Sequence, residues 1–478
     1  MTCDPDPRDG PRDECGVFAL YAPEHDVARL AYFGLYALQH RGQESAGIAT
    51  ASGGHIMIRR ELGLVSQVFD EQNLQALSGE AAIGHVRYST TGSSAWENAQ
   101  PIHRSDGREL ALAHNGNLIN AVELHSELRE RGVGFRSTSD SEIIAALLSC
   151  HPAEDIADTV ADVMGRLRGA YSTVAMVRDA VVAFRDPAGL RPLVIGQLGD
   201  RYCVASESCA LDIIGAKLLR DVQPGELVVL DEHGIRSRMV AGGQRHAFCV
   251  FEHIYFARPD SRFNGVPLQV SRGRMGELLW EQAPVDADLV IAVPDSGNAA
   301  ARGFARASGL PQDDGFVKNR YVARTFIQPG QELRRHGLRM KFNPIPEVVA
   351  GKRLVVVDDS IVRGNTTRQI VRMLRDAGAA EVHMRISAPP IRHPCHYGID
   401  MSTREEMIAH GRSVEEIAAE LDCDSLAYLT LDRVYAAIGS TPDTHCDACF
   451  SGRYPLSGTD ESANGKFAFE NELPLVRA

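Results

Sequence analysis

The chain has 478 residues and a formal net charge of −13, and 44% of its residues are hydrophobic, which indicates a globular protein too long for one core. The acidic balance argues against nucleic acid as a general partner, because a phosphate backbone needs a basic surface. Because no apolar run reaches the length of a membrane span and residues 1–14 carry no signal-peptide segment, we expect a cytoplasmic protein without a membrane partner.

The first predicted strand begins at Cys15 in the sequence DECGVFAL, directly after a leader rich in Asp, Pro and Arg. By itself, such a cysteine is more often a buried structural residue than a nucleophile. The apolar spacing from Val27 to Leu38 then predicts a helix.

Four further motifs follow in order, and they are HRGQESAGI at 40–48, GHVRYSTTG at 84–92, HNGNL at 114–118 and STSDSE at 137–142. Two of them also have ordinary structural interpretations. Asn115-Gly116 is a common hairpin turn pair, and Ser139 with Glu142 fits a helix capping box. Taken together, the order and spacing of the four motifs after the cysteine resemble the glutaminase domain of N-terminal-nucleophile amidotransferases.

That resemblance implies an αββα sandwich in which Cys15 attacks the side-chain amide of L-glutamine. Asn115 and the backbone N–H of Gly116 would form the oxyanion hole. Arg87 would pair with the α-carboxylate of glutamine, and Asp140 would bind its α-ammonium group. If the leader were removed, the freed α-amino group of the cysteine, with a reference pKa of about 7.7 to 8, could serve as the base.

The segment RMVAGGQR at 238–245 predicts a hinge between two domains. We therefore expect a leader at 1–14 that is removed, a glutaminase domain at 15–240, a second domain at 246–460 and a tail at 461–478.

The most informative segment is LVVVDDSIVRGNTT at 354–367, which predicts a buried strand ending in two carboxylates before a helix opens. Small and hydroxyl side chains at a helix N-terminus bind phosphate, and paired carboxylates suit ribose hydroxyls or a divalent cation, so a sugar phosphate satisfies both. A loop that only caps the next helix is the alternative. The candidate ligands are Asp358, Asp359, Ser360, Gly364, Asn365, Thr366 and Thr367.

This segment resembles the signature of type I phosphoribosyltransferases, which bind 5-phosphoribosyl 1-diphosphate (PRPP) on a parallel sheet flanked by helices. By the same likeness, the loop PDSGNAAARG at 294–303 would hold diphosphate, and Ser296 would join Asp358 and Asp359 around one Mg²⁺ per subunit. Without the relatives, Asp-Ser-Gly is equally a simple turn.

The segment 318–345 carries seven Arg or Lys residues before Phe342 and predicts a mobile, cationic loop. Such a loop could close over the diphosphate and exclude water. Lys341 is the candidate for a direct PRPP contact, and a solvated surface is the alternative.

Cys446 and Cys449 are separated by two residues, whereas Cys249 and Cys395 stand alone. From the residues only, Zn²⁺, an iron–sulfur cluster and ordinary thiols all remain open. The four positions resemble the ligands of the leader-bearing, cluster-containing branch of the glutamine PRPP amidotransferases. That resemblance implies one [4Fe–4S] cluster per subunit, acting as a structural clamp.

The resemblance covers nearly all of residues 15–460 and implies transfer of ammonia from glutamine to PRPP at the start of purine synthesis. It further implies a homotetramer inhibited by purine nucleotides such as AMP and GMP. An amidotransferase with another acceptor, such as a hexosamine-forming enzyme, would share only the first half. A non-catalytic PRPP-sensing regulator that binds DNA would need a basic surface.

Overall fold

The computed structural model describes residues 15–88, 93–319, 342–399, 401 and 403–456. In the first half, two antiparallel sheets stack face to face. The seven-stranded sheet contains, in spatial order, Lys217–Asp221, Val194–Leu198, Arg201–Ala205, Gly16–Tyr21, Ala81–Arg87, Ser45–Ser52 and His55–Leu62. The six-stranded sheet contains Gly234–Met239, Glu226–Asp231, Val181–Arg185, Gly169–Met176, Leu110–Leu118 and Ile102–Arg104.

The strand Gly16–Tyr21 shows how the residue order creates layers. Because side chains alternate between the faces of a strand, Val17 and Ala19 lie between the sheets, whereas Phe18 and Leu20 pack on the outer face. The outer faces of the two sheets are covered by the helices Val27–Ala37, Ser208–Ile213, Ala121–Glu130, Asp140–Ser149 and Ile156–Met164. The predicted αββα sandwich is therefore confirmed.

The second half is built on a parallel sheet of four strands, in the order Leu289–Ala292, Arg353–Asp358, Glu381–Ile386 and Ser425–Tyr428. The strand Arg353–Asp358, one of the two inner strands, is mostly apolar. This composition fits its burial, because the helices that pack on the sheet exclude water from it. The helices of this half are Leu268–Gln282, Asn298–Ser308, Asn365–Asp376, Val414–Leu421 and Leu431–Ile438. This arrangement confirms the predicted phosphoribosyltransferase fold.

Shorter elements complete the described chain. Three two-stranded pairs join Phe248–Cys249 to His445–Cys446, Arg262–Phe263 to Val266–Pro267, and Phe316–Lys318 to Phe342–Pro344. The short helical elements are Val65–Val68, Glu71–Ala76, Trp96–Asn98, Glu252–Phe256, Pro346–Val349, Arg404–Glu406, Pro442–Thr444 and Ala448–Ser451. Among the helices that the structure describes, none is both long and apolar enough to cross a bilayer.

The connection between the halves, residues 240–247, has neither helix nor strand. The predicted hinge begins inside the last strand of the first half, because Gly234–Met239 continues to pair with its neighbour. The N–H of Ala247 donates to the carbonyl of Ala188 at 2.7 Å, and the Arg245 guanidinium donates to the carbonyl of Asp443 at 3.1 Å. The connection is thus bonded to both halves.

A close helix contact stabilises the second half. A Cβ built on Gly276, in the helix Leu268–Gln282, would lie 1.8 Å from the carbonyl oxygen of Ala300 in the helix Asn298–Ser308. Real Cβ atoms never approach an oxygen so closely, so this contact requires glycine and lets the two backbones meet.

We expect Gly276→Ala to lower the melting temperature by several degrees, although alanine favours a helix over glycine by about 1 kcal/mol. Forcing a methyl group between two packed backbones costs about 1–3 kcal/mol or more, and the helices must separate to admit it. Gly273→Ala on the same helix is the matched control, because its Cβ would have no atom nearer than 3.8 Å. Thermal unfolding followed by circular dichroism measures both, and an unchanged Gly276→Ala transition contradicts the prediction.

Candidate active sites

The Cys15 thiol lies in a small pocket at the start of the strand Gly16–Tyr21. Cys15 is 7% exposed, and its Sγ donates to the carbonyl oxygen of Tyr88 at 3.3 Å. The pocket is lined by Cys15, Arg87, Tyr88, Gln100, His114, Gly116, Ser139, Asp140 and Ser141. Its volume of about 10 Å³ holds about one water molecule, so it must widen before a substrate side chain enters.

Asn115 and Gly116 lie inside the strand Leu110–Leu118, so the hairpin-turn alternative does not hold. Asn115 is 1% exposed, and among the residues described its Nδ2 has no hydrogen-bond partner. A buried donor left unpaired costs about 1–3 kcal/mol, a cost that is recovered when a ligand supplies the acceptor. Gly116 has φ +149°, and an added Cβ would lie 2.0 Å from the carbonyl oxygen of Ala170. Only glycine fits at that position.

The backbone N–H of Gly116 faces the same side as two neighbouring N–H groups. His114 donates to Oε1 of Gln100 at 2.8 Å, and Leu118 donates to Oδ2 of Asp140 at 2.9 Å. Because N–H directions alternate along a strand, the N–H of Gly116, halfway between these two, points toward the same edge. Gln100 and Asp140 both line the pocket, so this N–H points toward the pocket as well.

Asp140 is the first residue of the helix Asp140–Ser149, as predicted, and Ser139 caps that helix. The predicted capping box is wrong, because Glu142 does not bond back to Ser139. Glu142 accepts instead from the backbone N–H of Ser137 at 2.7 Å. The cap and the bond from the strand Leu110–Leu118 hold the Asp140 carboxylate at the pocket.

Arg87 ends the strand Ala81–Arg87 and is 2% exposed. It donates to the carbonyl of Ser93 at 3.0 Å and lies 3.7 Å from a carboxylate oxygen of Glu44. Burial lowers the pKa of Arg87, and the Glu44 carboxylate opposes that shift. A guanidinium remains charged even so, and it can bind a substrate carboxylate in the pocket.

A buried arginine that the sequence motifs did not reveal holds the backbone of Cys15 in place. Arg41 donates from Nε to the carbonyl of Cys15 at 3.0 Å, and from its Nη atoms to Glu207 at 2.6 Å and Glu252 at 2.7 Å. Glu252 belongs to the second half of the chain. Arg41 stands in the motif HRGQESAGI, but no pattern in that motif indicates that it is buried or what it contacts.

Burial raises the pKa of the Cys15 thiol to about 11, and the Tyr88 carbonyl and the Arg87 charge reduce that shift only in part. The thiol is therefore protonated at neutral pH and needs a base. The nearby histidines are poor bases, because burial lowers the pKa of His114 and lowers that of His85 to about 3.

The second site lies where the strand Arg353–Asp358 ends. Asp358 and Asp359 are 7% and 6% exposed, and the N–H of Asp359 donates to Oδ1 of Asp358 at 2.9 Å. Burial raises the pKa of Asp359, and hydrogen bonds from Ser296 and Ser360 oppose that shift. The structure therefore brings Ser296 from the neighbouring loop onto this carboxylate, as the resemblance implied.

The predicted phosphate loop leads directly into a helix. Gly364 has φ +82° and precedes the helix Asn365–Asp376, and a Cβ there would lie 2.3 Å from the Ile408 side chain. Asn365 and Thr366 are partly exposed at the first turn, whereas Thr367 is buried. Backbone N–H groups at such a helix start attract a phosphate.

The predicted cationic loop falls largely outside the described residues, and so does Lys341. Its two ends, Phe316–Lys318 and Phe342–Pro344, pair as antiparallel strands. The side chain of Lys318 bonds to Asp295, one residue before Ser296. Both ends of the segment are thereby positioned beside the second site.

The four predicted cluster cysteines come together between the halves. Cys249 lies opposite Cys446 in a parallel strand pair, and the N–H of Tyr397 donates to Sγ of Cys395 at 3.4 Å. Burial raises the pKa of Cys449 well above its usual range, and the other three sulfurs add to the shift. Among the described residues, no three His, Cys, Asp or Glu side chains are close enough to hold a single metal ion.

The chain is similar to known proteins over the regions that contain both candidate sites. Residues 85–212 match a family model described as a glutamine amidotransferase domain. A protein of Synechococcus elongatus named amidophosphoribosyltransferase is 51% identical over 469 residues, which are 97% of this chain and 95% of that protein. One of the same name from Bacillus subtilis is 46% identical, covering 93% of this chain and 95% of that protein.

A solved structure extends the comparison to three dimensions. It is described as glutamine PRPP amidotransferase from B. subtilis complexed with ADP and GMP. It superposes with a TM-score of 0.88 at 44% identity, covering 94% of this chain and 98% of that one. The similarity therefore includes the arrangement of the two halves.

While a peptide bond precedes Cys15, we expect its alkylation by iodoacetamide to be slow at neutral pH and to accelerate up to pH about 11. The thiolate is the reacting form, and burial raises the pKa of Cys15 to about 11. Mass spectrometry of the peptide that contains Cys15 measures the rate, with the exposed Cys150 as the internal control for reagent activity. A rate that levels off near the ordinary thiol pKa of about 8.5 contradicts the assignment.

Proposed function

Because the chain belongs to the amidophosphoribosyltransferase family, we propose that its two sites carry out one reaction in sequence. It is a glutamine-dependent pentosyltransferase that catalyses the first step of purine biosynthesis. Glutamine is hydrolysed at Cys15, and the ammonia passes inside the protein to PRPP, giving 5-phosphoribosylamine, glutamate and diphosphate. The observation that best supports the first half-reaction is the buried Nδ2 of Asn115, which has no hydrogen-bond partner among the described residues and belongs to the residue next to Gly116 of the thiol pocket.

In the first half-reaction, the Cys15 thiolate forms a bond to the amide carbon of glutamine, and the carbonyl electrons move onto oxygen. The Nδ2 of Asn115 and the N–H of Gly116 donate to that oxygen, which is charged only in the intermediate. As the intermediate collapses, the proton that the base took from the thiol passes to the leaving nitrogen, so the C–N bond breaks and ammonia is released. Water then hydrolyses the thioester to glutamate and restores the thiol. Arg87 and Asp140 hold the α-carboxylate and α-ammonium groups, because each offers the opposite charge in the pocket.

Removal of residues 1–14 would supply the missing base. The peptide bond before Cys15 makes its nitrogen an amide that cannot accept a proton, and burial keeps the thiol protonated. A free α-amino group has a pKa of about 7.7 to 8, so it could take the proton from its own side chain. Arg41 would keep the Cys15 carbonyl in place during this exchange.

In the second half-reaction, ammonia attacks C1 of PRPP, a C–N bond forms, and the bond to diphosphate breaks. Asp358 and Asp359 would hold the ribose hydroxyls, and the helix start at 364–367 would hold the 5-phosphate. Two buried carboxylates with the Ser296 hydroxyl fit one Mg²⁺ per subunit, which needs few protein ligands when substrate phosphates complete its shell. When bound, Mg²⁺ would neutralise charge on the diphosphate.

Tyr255 is within electrostatic reach of residues from both sites. Burial raises the pKa of Tyr255, and the charges of Asp359 and Asp358 from the second site and of Tyr88 from the first add to the shift. Tyr88 is the residue whose carbonyl holds the Cys15 thiol.

We propose one [4Fe–4S] cluster per subunit on Cys249, Cys395, Cys446 and Cys449. The donors are four cysteine sulfurs of the second half that lie near one another, and thiolates are the usual ligands of an iron–sulfur cluster. The cluster would supply no step of the reaction. It would join the start of the second half to the end of the described chain.

Regulation and assembly complete the proposal. A solved relative is complexed with ADP and GMP, which supports binding of purine nucleotides to this enzyme, and we propose that nucleotides such as AMP and GMP inhibit it. A homotetramer in the cytoplasm, where thiols remain available to a cluster, is the proposed working form. No residues are assigned to the nucleotide sites.

We expect Cys15→Ala to abolish glutamine-dependent synthesis and to leave synthesis from free ammonia at high pH unchanged. The substitution removes the Cys15 sulfur from the glutamine pocket and does not reach the PRPP site. Product formation with each nitrogen donor, measured on the same preparation, tests this. Equal loss of activity with both nitrogen donors would contradict the assignment of glutamine hydrolysis and ammonia addition to separate sites.

Asp358→Asn is expected to impair synthesis with either nitrogen donor, because it weakens the ribose and metal contacts of the acceptor site. Asp376→Asn, at the exposed far end of the helix Asn365–Asp376, is the matched control and should behave like the unmodified enzyme. Calorimetric titration with PRPP in the presence of Mg²⁺ gives the binding readout. Unaltered PRPP affinity in Asp358→Asn would remove that residue from the site.

A further inference from the structure

Residues 396–398 of the second half abut the strand Leu110–Leu118, which carries Asn115 and Gly116. A Cβ built on Gly398 would lie 3.0 Å from the carbonyl carbon of Gly116, 3.1 Å from its oxygen and 3.2 Å from its Cα. Gly398 also has φ +107°, a backbone conformation that other residues rarely adopt. Backbone therefore packs directly on backbone here, across the boundary between the halves.

Two hydrogen bonds hold this segment against the first half. Nδ2 of Asn117, the residue after Gly116, donates to the carbonyl of His396 at 3.1 Å. Nε of Arg191 donates to the carbonyl of Tyr397 at 2.8 Å, and both of these residues are almost fully buried. Tyr397 also packs in an apolar cluster whose other buried members are Ile119, Ala170, Ala188, Leu190 and Ala247.

Gly116 is thus confined from two directions. The carbonyl of Ala170 blocks any Cβ on Gly116 from the neighbouring strand, and Gly398 occupies the space beside its Cα and carbonyl. Any movement of the Gly116 Cα also moves the N–H that points to the pocket. A residue of the second half therefore sets the position of a donor in the first half.

We propose that Gly398 is a positioning residue for the oxyanion donors, so that glutamine hydrolysis requires the second half to be seated on the first. The inference rests on the proposed glutaminase function. Gly398 touches no substrate, and its effect falls on the tetrahedral intermediate, because only that species places a negative oxygen against the donors.

Gly398→Ala tests the inference. A donor displaced by about 1 Å can cost up to about a hundredfold in rate, so we expect kcat with glutamine to fall about tenfold to a hundredfold. The KM for glutamine and the ammonia-dependent rate should stay close to those of the parent enzyme. Gly411→Ala is the matched control, because Gly411 lies in the same half with φ +68° and has no atom within 4 Å of its Cβ position.

A second readout separates positioning from general damage. Glutamate γ-semialdehyde forms a thiohemiacetal with the nucleophile and places an oxygen at the oxyanion donors, whereas glutamate does not. In Gly398→Ala, the inhibition constant of the semialdehyde should rise by about the factor by which kcat falls, and that of glutamate should not change. Equal weakening of both inhibitors, or equal loss with both nitrogen donors, would overturn the inference.

Asn117→Ala provides an independent variant if Gly398→Ala does not fold. It removes the bond to His396 without altering the backbone, and it should reduce kcat with glutamine selectively, by a smaller factor. If kcat with glutamine is unchanged in Asn117→Ala, and also in Gly398→Ala where that variant folds, the inference is wrong but the proposed function still stands. Absence of glutamine-dependent turnover in the parent enzyme would instead defeat the proposed function.

Discussion

A single buried guanidinium connects the nucleophile to both halves of the molecule. Arg41 is 1% exposed and is neutralised by Glu207 from the first half and Glu252 from the second, while its Nε holds the carbonyl of Cys15. Loss of one partner from a buried pair costs about 3–5 kcal/mol, because the remaining charge stays away from water. The position of the thiol is therefore tied energetically to the contact between the halves.

The same boundary carries the other features on which the reaction depends. Tyr255 follows Glu252 in one short helix and lies near both Asp359 and Tyr88. Gly398 meets the strand of the oxyanion donors a short distance along the chain from the thiol of Cys395. Both features lie where the two halves of the chain meet.

The sequence was most informative where the residues of a candidate site lie close together along the chain. Asp358 and Asp359 directly follow an apolar strand, and the next helix starts a few residues later. One short segment therefore contains most of the candidate ligands of the second site. Local pattern failed at Asn115-Gly116, whose turn propensity is overridden by pairing within a sheet, and at Glu142, which bonds to a preceding loop instead of the helix cap. Arg41 and Gly398 could not be predicted, because most of their partners lie far away along the chain.

Isotope competition would show whether nitrogen passes from glutamine to PRPP inside the protein. The enzyme would turn over glutamine labelled with ¹⁵N in its amide group, with PRPP, in a large excess of unlabelled ammonium. Mass spectrometry would then give the isotope content of the 5-phosphoribosylamine formed. With internal transfer, the product retains the ¹⁵N of glutamine. A product whose nitrogen matches the unlabelled solution would mean that the ammonia mixes with solvent before it reacts, and internal transfer would be ruled out.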